Sequence, residues 1–122
     1  MRGGAYHRTV TRPTALRLWL PVVGWAAVIF VFSAIPSLGT GLGTWDLVLR
    51  KLAHMGEYAV LAALLWRALG AYRFAFALAV AYAGTDELHQ RFVAGRHAAF
   101  RDIVIDAAGA AVGLALVRYR RR

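Results

Sequence analysis

The sequence predicts an all-α fold: a four-helix transmembrane bundle, both termini cytoplasmic, with a polar cluster at its extracytoplasmic end. Three observations carry that prediction. The 122-residue chain is 60% hydrophobic and only 17% charged, more apolar than an ordinary globular domain. Its apolar stretches number four and are separated by glycine-containing or charged connections. Its charges sort to opposite sides once successive helices alternate in direction.

Residues 1–15 are polar, basic and glycine-containing, and read as a flexible cytoplasmic tail ahead of a membrane domain over 16–118. Leu18 to Ile35 then runs 18 residues without a charge. At about 1.5 Å per residue that is enough to cross a hydrocarbon core. A removable secretory peptide is the competing reading, because basic residues precede the run. Against it, the run exceeds the usual apolar core of such a peptide, no small-residue cleavage site follows, and three more apolar segments come after. Pro21 falls in the first two turns, where proline is tolerated.

A glycine-rich loop follows from Pro36 to Trp45, and helical pattern resumes near Asp46 and continues to Leu69. Lys51, His54 and Glu57 lie in the first half of this helix; Tyr58 to Trp66 is uncharged. Gly70 to Arg73 reads as a tight turn with glycine at the helix C-terminus. The third segment, Phe74 to Thr85, is uncharged and ends abruptly in Asp86-Glu87-Leu88-His89-Gln90. Phe92 to Arg101 connects it to a fourth helix, starting at Asp102 as N-cap and continuing to Val117. Only the first segment clears the span threshold by itself, so a soluble all-helical domain is the alternative.

Charge placement decides between the two. Fifteen Lys+Arg against six Asp+Glu give a formal charge of +9. With four crossings, Arg2, Arg8, Arg12, Arg17, Arg67, Arg73, Arg118, Arg120, Arg121 and Arg122 share one side. The other side holds Arg50, Lys51, Arg91, Arg96 and Arg101 together with all six acids. The positive-inside rule then makes both termini cytoplasmic. The basic ending Arg118-Tyr119-Arg120-Arg121-Arg122, of which 119–122 is a cytoplasmic end, holds the last helix against anionic headgroups. The expected partner is therefore the lipid bilayer and not nucleic acid. Cysteine is absent, which excludes disulfides, thiolate metal sites and thiol nucleophiles.

Ionisable residues inside membrane helices are costly and normally face the bundle interior or a water-filled cavity. Here they fall on three helices at one depth. Lys51, His54 and Tyr58 make a stripe at i, i+3 and i+7 on the second helix. Asp86, His89 and Gln90 make one at the same end of the third. Asp102, Asp106, Gly109 and Gly113 follow at i, i+4, i+7 and i+11 on the fourth. Modest roles exist for several: Gly109 and Gly113 suit helix packing, Tyr58 an interfacial anchor, Lys51 snorkelling, Asp102 a cap, and Glu87 a pair with Arg91. His54, Asp86, Gln90 and Asp106 lie a turn or more inside the apolar zone and have weaker structural explanations.

Four elements in order carry a resemblance to a known family. They are Ser33-x-x-Pro36; Lys51-x-x-His54-x-x-Glu57-Tyr58; Asp86-Glu87-x-His89-Gln90-x-Phe92-Val93-x-Gly95-Arg96; and Asp102-x-x-x-Asp106-x-x-Gly109-x-x-x-Gly113. Together the chain resembles the VanZ-like family of small bacterial membrane proteins over about residues 25–115. One departure is Asp106, where the family pattern more usually has Asn. The resemblance implies a polytopic membrane protein whose namesake contributes to teicoplanin resistance, and it implies no settled biochemical activity.

Two classes of function suit the cluster. One is an enzyme acting on an envelope lipid or cell-wall component at the outer leaflet. His54 is then general base or nucleophile, oriented by Asp86 or Asp106. Lys51 and Arg96 hold a phosphate or carboxylate, with Tyr58, Glu87, His89, Gln90 and Asp102 completing the binding surface. The other is a non-enzymatic protein whose same pocket binds a lipid headgroup or a glycopeptide, or braces a partner. A divalent metal on His54, Asp86, His89 and Asp106 is a third thought, but that spacing matches no recognised motif, and neither metal nor cofactor is assigned. Nothing in the sequence sets the oligomeric state.

Overall fold

A computed structural model describes residues 14–34, 44–92 and 100–122. The N-terminal tail, most of the Pro36–Trp45 loop, and Gly95 and Arg96 in the third connection lie outside the described residues. Within them the chain is all-α, with no strand. Helix α1 spans Ala15–Ala34, α2 Thr44–Leu69, α3 Tyr72–Gln90 and α4 Phe100–Arg120.

Each boundary has a local cause. Helix α1 begins three residues before the uncharged run because Thr14 caps it: its hydroxyl accepts the Arg17 amide at 3.4 Å and its carbonyl accepts that of Leu18 at 3.2 Å. Helix α2 stops at Gly70, which adopts a positive φ of 73° and donates its amide to the Trp66 carbonyl at 2.7 Å. A residue with a Cβ disfavours that conformation, so glycine ends the helix here as expected. Helix α3 resumes at Tyr72, two residues earlier than the apolar pattern suggested. Helix α4 likewise starts at Phe100. Asp102 is therefore not an N-cap but sits in the first turn, where its charge still complements the helix dipole.

The helices run up, down, up, down. Helices α2 and α3 both touch every other helix, while α1 and α4 flank them on opposite sides without contact between described residues. Helices α2 and α4 run parallel and pack closest. A Cβ built on Gly109 would lie 2.7 Å from Met55 Cα, and one on Gly113 would lie 2.7 Å from Ala59 Cα. Only glycine at those two positions permits such an approach, so their sequence spacing does reflect helix packing.

Small residues perform the same service on α3. Ala75, Ala79 and Ala83 are buried at intervals of four, forming one stripe of the apolar interior. Leu61, Ala62 and Leu65 of α2, Ile29 of α1, and Ala110 and Leu114 of α4 complete the apolar interior. Two aromatic residues then lock α1 in place. The Trp25 indole N–H donates to the Glu57 carbonyl at 2.8 Å, and the Tyr82 hydroxyl donates to the Ala26 carbonyl. Among the described residues, only α1 is long and apolar enough to cross a membrane by itself.

Candidate functional site

The alternating helix directions bring the last turn of α1, the first half of α2, the last turns of α3 and the start of α4 to one end of the bundle. The polar side chains collect there. Ser33, Asp86, Glu87, Gln90 and Asp106 are all buried, and His54, Glu57, Lys51, His89 and Asp102 are half-buried.

Asp86 is the centre of the arrangement. Its Oδ2 accepts a hydrogen bond from the Ser33 hydroxyl at 2.9 Å and another from the Tyr58 hydroxyl at 3.3 Å. One carboxylate oxygen thus joins α1, α2 and α3. Its other oxygen, Oδ1, is buried and has no hydrogen-bond partner among the described residues. Tyr58 is completely buried and lies tilted 6.3 Å from the Tyr82 ring. It is an interior hydrogen-bond donor and not an interfacial anchor.

His54 forms a second focus. Its Nδ1 lies 3.4 Å from Glu57 Oε2 and 3.9 Å from Asp106 Oδ1. A protonated imidazole at such a distance attracts a carboxylate by on the order of 4 kcal/mol at an effective dielectric near 20, before desolvation is counted. The two foci meet: one ligand-type atom from each of His54, Asp86 and Asp106 lies within 4.8 Å of the others.

The remaining residues stand further from this triad or are oriented differently. His89 is at the right depth, but its ring stacks on Phe30 of α1 with centroids 4.1 Å apart. That stacking turns it toward α1, so it does not join the set of four considered from sequence. Lys51 sits one turn before His54, and Asp102 one turn before Asp106. Glu87 and Gln90 are buried beside Asp86 on α3. Arg96 lies outside the described residues.

Ser33 was given no site role from sequence, although the Ser33-x-x-Pro36 pattern signalled it. A small hydroxyl residue near the end of an otherwise apolar helix is the only other clue. Glu57 likewise has no site role in the sequence reading, yet its carboxylate lies 3.4 Å from the His54 ring. Chemically, the arrangement is a mostly buried, acid-rich cluster around the His54 imidazole. It suits proton transfer or the capture of a positively charged species.

The sequence profile of the VanZ/LLP1 family matches residues 9–121, nearly the whole chain. No curated protein and no solved structure matches it.

Proposed function

The chain belongs to the VanZ/LLP1 family, and on that premise we propose that it spans the bacterial cytoplasmic membrane four times. Both termini lie inside, and the pocket acts at the outer face on an envelope lipid or cell-wall component. The family's link to teicoplanin resistance points to the same compartment.

One observation carries this reading: the bundle's polarity is inverted relative to a water-soluble protein. Large apolar side chains are exposed on every helix, among them Leu20 and Phe32 on α1, Leu52 on α2, Phe74 on α3 and Leu116 on α4. Carboxylates are buried instead, at Asp86, Glu87 and Asp106. Water would reward the opposite arrangement. A bilayer rewards this one, because lipid-facing positions must be apolar while ionisable groups turn inward. The excess of arginine at the termini and at the Gly70–Arg73 turn supports the orientation.

In the pocket, His54 is the general base, oriented by Asp106 and Glu57. Lys51 and Arg96 neutralise the headgroup's phosphate or carboxylate, Arg96 in bidentate fashion. Tyr58, Glu87, His89, Gln90 and Asp102 shape the surface around it. A second reading, non-enzymatic capture of a lipid headgroup or glycopeptide, or bracing of a partner, draws on the way Asp86 ties three helices together. That is how a rigid binding cup would be built. Substituting His54→Ala separates the two. An enzyme keeps headgroup affinity but no longer alters the envelope-lipid profile by mass spectrometry, whereas a binder loses affinity and phenotype together.

A further inference from the structure

Asp86 leaves one buried oxygen unaccounted for. The residue is 4% exposed, and its Oδ1 has no hydrogen-bond partner among the described residues. Its carboxylate faces His54 of α2 and Asp106 of α4, with one ligand atom from each of the three inside a span of 4.8 Å. We propose that His54, Asp86 and Asp106 together bind a divalent transition-metal cation, of the class of Zn2+ or Mn2+, at this end of the bundle.

The donor set selects the class of ion. Magnesium and calcium sites are built from oxygen, whereas an imidazole nitrogen beside carboxylates suits the borderline first-row divalent ions. Thiolates are excluded, since the chain has no cysteine. Bonds of about 2.0–2.2 Å in a tetrahedral site put donor atoms roughly 3.4 Å apart. The triad, whose atoms lie within 4.8 Å of one another, closes on that spacing with side-chain movements of about an ångström. A cation also resolves the electrostatics, because two neighbouring buried carboxylates repel and each demands a partner.

The surroundings are those of a supported site. Ser33 and Tyr58 fix the Asp86 carboxylate through Oδ2, and Glu57 stands 3.4 Å from the His54 ring. Such outer contacts hold ligands in orientation. Three protein ligands leave at least one coordination position for an anionic group. The sequence names all three ligands, with His89 as a fourth, but matches no spaced motif because they come from three helices and meet only through the fold. The inference stands on the triad's geometry, not on the lipid reading. With an ion bound, His54 serves as a ligand; without one, its role as base is untouched.

The test uses the full chain purified in lipid nanodiscs, stripped with EDTA and titrated with Zn2+ by calorimetry. One ion per chain is expected. The affinity should fall by at least about tenfold in His54→Ala, Asp86→Asn and Asp106→Asn. The zinc-edge X-ray absorption spectrum of the unmutated protein should show one imidazole nitrogen among oxygen ligands. That spectrum does not depend on any variant folding. No retained ion, a spectrum without imidazole, or affinity unchanged by all three substitutions would overturn the proposal.

Discussion

Ser33, at the end of α1, donates a 2.9 Å hydrogen bond to Asp86, near the end of α3, across 53 residues of sequence. Tyr58 of α2 donates to the same oxygen at 3.3 Å. A shared acceptor makes the two donors interdependent, because either one still partly satisfies the charge after the other is lost. In a poorly solvated setting the loss of both leaves a carboxylate oxygen without compensation.

Ser33→Ala and Tyr58→Phe should each lower stability by about 1.5–3 kcal/mol, the range for hydrogen bonds to charged groups. The double variant should lose more than the two single losses together. Unfolding of the purified protein by sodium dodecyl sulfate, followed by circular dichroism, reads all three. Simple additivity would mean that Asp86 does not couple the helices.

The α2–α4 contact makes a sharper prediction about glycine. Gly109→Ala and Gly113→Ala insert a methyl group against the backbone of Met55 and Ala59, an overpacking that costs about 1–3 kcal/mol. Gly24→Ala and Gly84→Ala meet nothing within 4 Å and should be neutral or stabilise by up to about 1 kcal/mol. The same denaturation assay distinguishes the pairs. Equal effects at all four sites would contradict the close packing.

Topology is tested by cysteine scanning, for which the cysteine-free chain is a ready background. Thr40→Cys and Ala98→Cys should react with an impermeant thiol reagent in intact cells. Arg122→Cys should react only after permeabilisation. Labelling at position 122 alone in intact cells would reverse the orientation.

Much of this architecture was legible in the sequence. Uncharged runs and the glycine at position 70 marked the helices, and the alternation of direction placed His54, Asp86 and Asp106 at one end. What periodicity cannot supply is the rotation of each helix about its axis. Asp86 and His89 share an end of α3, yet one faces the interior and the other stacks on Phe30. The role of Ser33 was hidden for a related reason, since its partner lies on a helix distant in sequence. Helix starts at Tyr72 and Phe100 lie two residues before the sequence reading, because apolar content locates the buried or lipid-facing stretch and not the first hydrogen-bonded turn.

The central claim is that the cluster around His54 and Asp86 is a working site at the outer face of the membrane. Growth in teicoplanin tests it most directly, comparing a susceptible bacterium expressing the unmutated chain with the same strain expressing His54→Ala or Asp86→Asn. Membrane abundance must be matched by immunoblot. The account predicts that the unmutated chain raises tolerance and that both variants return it to the level of the empty strain. Full tolerance from both variants at equal abundance would contradict it.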